Sequence, residues 1–275
     1  MPLAVQRSSS PSCQEASKEP SGQQLDLRFG GVGGCRNDCG PSAPFLHSRS
    51  VERIRALRSS STAETVTGLV DSAALRRGLA RARRIVDRHA VALTQLDAVL
   101  GDGDHGDNLA IGFRAIEELL VQLPVKTLPG ELLRAVGHRL VAAVGGASGP
   151  LYGTAFIEAG FAASDLEVLD TPTLARMLQA AANGIARRGR CAVGDKTILD
   201  TLAPAASTYA RLIADGASDA DARREALRAA VAGMRSTRPL VARRGLALRL
   251  GSRSAGHLDP GAVSCLLLLL ALGRR

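Results

Sequence analysis

The chain has no tryptophan, and aromatic residues make up only 3% of its 275 positions. With so few rings, a core must be packed from Leu, Ala, Val and Ile, as helical proteins often manage. Cysteine is equally thin. Cys13, Cys35, Cys39, Cys191 and Cys265 are odd in number and dispersed, so neither a disulfide framework nor a zinc-ligand pattern follows. No apolar run approaches the roughly 20 residues that cross a bilayer; Leu266 to Leu272 falls far short. The N-terminus lacks a continuous apolar core, and Glu15, Glu19 and Asp26 argue against a secretory signal or an acid-poor transit peptide. These absences favour a soluble cytoplasmic protein with no membrane partner. Strand-type alternation is also missing.

Charge is plentiful and unbalanced, with 35 Lys and Arg against 26 Asp and Glu and a net +9. The basic residues are mostly arginine, scattered through every segment without interleaved aromatics to stack bases. They describe a solvated basic surface and no nucleic-acid partner. From Met1 to Ser61 the composition is rich in Ser, Gly, Pro and charge, with no sustained period. Residues 1–61 are therefore expected to be a disordered extension, or one added by a misassigned start. Residues 62–275 are expected to form one domain.

Within that domain helical spacing dominates. Leu75, Leu79, Ala82, Val86, His89, Leu93 and Leu96 recur at intervals of four and three, forming one stripe of a helix. Leu109, Phe113, Ile116, Leu120 and Leu123 repeat the pattern until Pro124 stops it. Leu133, Val136, Leu140 and Ala143 mark a third helix. Thr171-Pro172, Ser218-Asp219 and Asp259-Pro260 read as capped starts of later ones. The sum is about eight helices joined by short turns, an all-α antiparallel bundle or barrel.

The chemistry concentrates in Leu96-Asp97-Ala98-Val99-Leu100-Gly101-Asp102-Gly103-Asp104-His105-Gly106-Asp107-Asn108. Asp97, Asp102 and Asp104 surround two glycines that permit a tight turn, so three carboxylates can aim at one point. Such a set repels itself unless a cation is present. It suits magnesium, a hard cation that keeps waters and phosphates in its shell. His105 onward opens a helix, whose free N–H groups favour a phosphate. An EF-hand starting at Asp102 fails, because its sixth position is Asp107 and its twelfth is Phe113. Two further stretches are ambiguous alone. Gly145 to Thr154 is a glycine-rich turn suited to helix packing or to ligand contact. Gly194-Asp195-Lys196-Thr197 lacks the glycine spacing of a Walker A loop and reads as a capped helix start.

Taken together, these stretches and Gly256-His257-Leu258-Asp259-Pro260-Gly261-Ala262 resemble the nucleotide-binding L subunit or domain of dihydroxyacetone kinases, in order and in spacing. The resemblance covers roughly Thr62 to Arg275. It implies an eight-helix barrel in which Asp97, Asp102 and Asp104 hold two magnesium ions that bridge the phosphates of ADP or ATP. It further implies nucleotide contacts from His105, Gly106, Asp107, Asn108, Ala147, Ser148, Gly189, Ile198, Asp259, Pro260 and Gly261. No residue is expected to act as a nucleophile. The phosphoryl acceptor, dihydroxyacetone, would sit on a separate K subunit, with a phosphotransferase-system protein as an alternative donor and a homodimer within the complex. Two departures stand out. Leu246 occupies the place expected for a phosphate-contacting arginine, with Arg244 and Arg249 nearby, and Asp107 replaces an uncharged residue. They keep open a regulatory nucleotide-binding module without transfer activity, and a kinase subunit acting on another small ketose or polyol.

Overall fold

The computed structural model describes residues 69–274; the extension expected over residues 1–61 lies outside the described residues. Among these the architecture is all-α. Eight α-helices run α1 (Ser72–Leu100), α2 (His105–Gln122), α3 (Pro129–Ala143), α4 (Ser148–Ala162), α5 (Thr171–Gly189), α6 (Leu199–Ala214), α7 (Asp219–Ser236) and α8 (Pro260–Leu272). A 3-10 segment, Leu246–Ser254, precedes α8 and breaks at Gly251. Each helix packs on the next along the chain, and α8 returns to α1, α6 and α7 so that the ring closes. One feature was not expected from the sequence: Val70–Asp71 (β1) pairs antiparallel with Val168–Leu169 (β2), tying the chain ahead of α1 to the turn before α5.

The periodic stripes face inward as expected. Leu79, Val86 and Leu93 of α1 and Leu109, Phe113 and Ile116 of α2 are buried, while His89 sits at the half-buried boundary. The last helix differs in kind. Most of Pro260 to Leu268 is buried on every side, so its apolar sequence needs no stripe and describes an element enclosed by neighbours. Among the described residues no helix is long and apolar enough to cross a membrane. Between the helices an apolar cavity of about 230 Å³ remains, lined by residues such as Leu79, Tyr152, Met177, Leu202 and Leu268.

Side-chain caps fix half of the eight helix starts. The side chains of Asp71, Ser218 and Asp259 each accept an N–H from the first turn they precede. For α5 the cap is one residue earlier than expected. Asp170 accepts the Thr173 N–H at 2.8 Å, and Thr171 and Pro172 are already helical. The carboxylate wins because Pro172, which has no N–H to satisfy, fits inside the first turn.

Low aromatic content has a packing consequence, since small residues let the helices approach closely. A Cβ on Gly137 of α3 would stand 2.6 Å from the Gly153 carbonyl oxygen and 2.6 Å from Ile157 of α4. Gly137→Ala is therefore expected to force the two helices apart, at a cost of about 1–3 kcal/mol. Thermal unfolding followed by circular dichroism checks this: the midpoint should fall by several degrees, and an unchanged midpoint would contradict the close approach.

Candidate functional site

The turn between α1 and α2 is organised by Asp97. It lies in the last turn of α1 and is largely buried. Its Oδ2 accepts the N–H groups of Gly103 (3.1 Å), Asp104 (3.0 Å) and His105 (3.2 Å). One carboxylate oxygen thus satisfies donors that the start of a helix otherwise leaves without partners. Two glycines make the fold-back possible. Gly103 has a φ of +74°, and a Cβ on Gly101 would lie 2.4 Å from Asp97 Oδ1.

This geometry brings the three aspartates together. One oxygen from each of Asp97, Asp102 and Asp104 lies within 4.8 Å of the others. Asp102 and Asp104 are exposed. Desolvation raises the Asp104 pKa and the Asp102 and Asp97 charges add to it, while a hydrogen bond from Asn108 opposes them. With Oδ2 of Asp97 committed to the backbone, Oδ1 is the oxygen left for a cation. A donor set made only of oxygens, two of them on exposed residues, suits magnesium.

The residues that follow are divided between the site and the packing beneath it. His105 is buried, and both ring nitrogens are engaged: Nδ1 lies 3.0 Å from Ser148 Oγ and Nε2 lies 2.9 Å from Ser264 Oγ. Burial lowers its pKa, although Asp97 and Asp102 pull the other way. Gly106 is a contact between backbones, because a Cβ there would stand 1.9 Å from the Ala90 carbonyl oxygen. The first internal bond of α2 runs from the Asn108 N–H to the Asp104 carbonyl (2.9 Å), so the Gly106 and Asp107 N–H groups precede the helical ladder. Asp107 is exposed.

The second glycine-rich stretch meets the first. The helix α4 begins at Ser148, earlier than the expected turn allowed. A Cβ on Gly145 would lie 3.1 Å from Asn108 Oδ1, and Gly146 has a φ of +63° with open space around it. Ala147 is exposed and Ser148 half-buried. Gly189 closes α5 beside Leu151 of α4, whose side chain would stand 3.2 Å from its Cβ. Ile198 is buried, and its Cβ lies 3.6 Å from where a Cβ on Gly261 would be. Asp259 accepts the Ala262 N–H at 2.7 Å, while its own N–H donates to Thr237 Oγ1 at 3.1 Å. These contacts join Gly145 to Asn108 and Ile198 to Gly261, while Gly189 is placed only beside Leu151 and Cys191. Leu246 is 39% exposed. Arg244 pairs with Asp195 at 3.2 Å, which ties it to the loop before α6.

Several positioning residues were not singled out from the sequence. Gly194-Asp195-Lys196-Thr197 is more than a capped helix start. Lys196 is buried, and its Nζ donates to the Thr237 carbonyl at 2.6 Å and to the His257 carbonyl. Burial lowers its pKa, while Asp259 and Asp200 raise it. The buried Asp200 accepts the Gly194 N–H at 2.6 Å and the Thr197 N–H at 2.7 Å. The one available signal was a lysine with no helical face to solvate it. Tyr152 and Ser264 carried none, since each resembles ordinary helix interior.

Fold and geometry define a ring of helices with an acidic turn and two helix N-termini at adjoining loops. Residues 99–274 match the DAK2 domain model, and the chain belongs to that family. It is 38% identical over 188 residues, 67% of this chain and 86% of the relative, to a Listeria innocua protein named PEP-dependent dihydroxyacetone kinase 2, ADP-binding subunit DhaL. An Escherichia coli protein named PEP-dependent dihydroxyacetone kinase, ADP-binding subunit DhaL is 37% identical over 194 residues, 70% of this chain and 92% of the relative. The crystal structure of the C. freundii dihydroxyacetone kinase in complex with AMP-PNP and Mg2+ superposes with a TM-score of 0.55 at 25% identity. That match covers 86% of this chain and 38% of the larger protein.

Asp259 makes the site's amino end sensitive to pH. Burial pushes its carboxyl up to about 7, against the pull of the Ala262 N–H and Lys196. A raised folded pKa means that its stabilising contribution is full below the unfolded value, near 4, and is lost as pH rises towards 7. Asp259→Asn keeps a good cap and removes the titration. Relative to wild type, the variant should gain stability between about pH 4 and pH 7, measured by urea unfolding. A constant difference across that range would contradict a buried, raised carboxyl.

Proposed function

We propose that this chain is the nucleotide-binding subunit of a dihydroxyacetone kinase, delivering a phosphoryl group from a magnesium-bound nucleotide to dihydroxyacetone held on a separate K subunit. The observation that carries the reading is the convergence of Asp97, Asp102 and Asp104 oxygens within 4.8 Å, beside the first turn of α2. The names of the bacterial relatives, ADP-binding subunits of PEP-dependent kinases, support it. They also favour ADP retained on the subunit and rephosphorylated by a phosphotransferase-system protein over ATP exchanged in each cycle. The domain spans residues 62–275, works in the cytoplasm and pairs as a homodimer within the complex.

In this reading the chain positions and neutralises; it does not attack. Phosphoryl transfer depends mainly on in-line placement and on cancelling charge over the phosphate oxygens. Two magnesium ions, when bound, supply that cancellation. Asp97, Asp102 and Asp104 hold them, and Asp97 can do so with one oxygen because its other oxygen locks the turn. The N–H groups of Gly106 and Asp107, with Asn108, receive phosphate at the start of α2. Ala147 and Ser148 approach from α4. Gly189 and Ile198 border the nucleotide, and Asp259, Pro260 and Gly261 present the start of α8.

A second reading, a regulatory nucleotide-binding module, is favoured by one observation. Leu246 stands half-exposed on the 3-10 segment, and Arg244, the nearest substitute for an arginine there, is paired with Asp195. The purified chain, magnesium, nucleotide and a K subunit distinguish the two. Phosphate transfer to dihydroxyacetone is expected, and tight nucleotide binding without transfer would favour the module. Asp102 is exposed and caps nothing, so Asp102→Ala should lower magnesium-dependent nucleotide affinity at least about tenfold, ~1.4 kcal/mol, with helical content unchanged. Undiminished affinity would rule out the metal role.

A further inference from the structure

Behind the acidic turn, four side chains form one continuous hydrogen-bonded chain. Ser148 Oγ lies 3.0 Å from His105 Nδ1, His105 Nε2 lies 2.9 Å from Ser264 Oγ, and Ser264 Oγ lies 2.6 Å from the Tyr152 hydroxyl. The inner end rests on the Gly261 carbonyl, 3.0 Å from Ser264 Oγ and 3.4 Å from the Tyr152 oxygen. His105, Ser264 and Tyr152 are buried, and Ser148 is the half-buried outer end. The chain therefore joins α2, α4 and α8 and reaches the surface at one hydroxyl.

Counting hydrogens limits its states. Each hydroxyl carries one, and an imidazole whose two ring nitrogens each face a serine hydroxyl, with no carboxylate on either, carries one. In one arrangement Ser148 donates to Nδ1, Nε2–H and Tyr152 donate to Ser264, and Ser264 donates to the Gly261 carbonyl. Every hydrogen is then used internally, and Ser148 has none left for a ligand. In the other, Nδ1–H donates to Ser148, Ser264 donates to Nε2, and Tyr152 donates to Ser264. The Ser148 hydrogen then points outward, and it is satisfied when an anionic oxygen stands at the mouth.

We propose that Ser264 and Tyr152 are positioning residues that act through His105 to set the Ser148 hydroxyl as a donor to a nucleotide phosphate, with the imidazole changing tautomer between the empty and the occupied site. The inference rests on the nucleotide-binding reading above. The change conserves protons: one leaves Nε2 and one returns at Nδ1 by exchange with solvent, with no net uptake or release. A chain that served packing alone would lose stability when broken, but its tautomer would not respond to ligand.

The test uses the full chain labelled with 15N-histidine, with His105 identified by the loss of its signals in His105→Gln. Two-bond 15N–1H correlations report which ring nitrogen carries the hydrogen. Nε2–H is expected without ligand and Nδ1–H with saturating Mg2+ and ADP. Ser264→Ala and Tyr152→Phe are expected to bind Mg2+·ADP about two- to tenfold more weakly. The same tautomer in both states while Mg2+·ADP is bound would overturn the inference alone, as would unchanged affinity in both variants. Failure of the wild-type chain to bind Mg2+·ADP would overturn the nucleotide reading, and this inference with it. The tautomer measurement needs no variant to bind, so it decides the matter even where a substitution unfolds the chain.

Discussion

Carboxylates repel, and the turn between α1 and α2 holds three of them with oxygens within 4.8 Å. Two unit charges at such a distance repel by roughly 1 kcal/mol in water and by several times that near a low-dielectric surface. The turn keeps this arrangement because Asp97 anchors it. Its Oδ2 is locked by three backbone N–H groups, which fixes the loop and begins α2. What remains is a set of carboxylate oxygens that, in the proposed reading, a cation completes. Desolvation raises the Asp104 pKa, and repulsion from Asp102 and Asp97 adds to it.

The amino end of α8 depends on a different device. The start of α8 must stay in place although the chain reaches it through an exposed, irregular segment. Lys196 provides the tie: its buried ammonium bonds the carbonyls of Thr237 and His257, so the end of α7 and the approach to α8 are held to the loop before α6. Thr237 continues the link by accepting the Asp259 N–H. A buried charge without a close carboxylate is costly, and the cost is offset by two carbonyl acceptors and by the fields of Asp259 and Asp200. Ring closure by α8 and placement of its amino end are therefore one structural problem with one solution.

Much of this was legible in the sequence because it is periodic or local. The stripes from Leu75 to Leu96 and from Leu109 to Leu123 specified two helices, and the acidic cluster with its glycines specified a tight turn between them. Caps at Ser218 and Asp259 were equally local. What escaped was tertiary. Asp170 outcompeted Thr171 as the cap of α5, and the pair of two-residue strands is too short to leave a pattern. The inward turn of Lys196 depends on carbonyls 41 and 61 residues away. His105 suggested a group aimed at phosphate, but its ring lies between Ser148 and Ser264, a fact set by three helices meeting and not by any neighbour in sequence.

The account stands or falls on the acidic turn being completed by a divalent ion together with a nucleotide. The most direct measurement is the thermal unfolding midpoint of the metal-free chain with magnesium alone, with ADP alone and with both. A ligand that binds only the folded state at a hundred times its Kd adds about 2.7 kcal/mol of stability. The account predicts a rise of several degrees with both present, larger than the sum of the separate effects. A midpoint that does not move, or that moves equally with ADP whether or not magnesium is present, would contradict it.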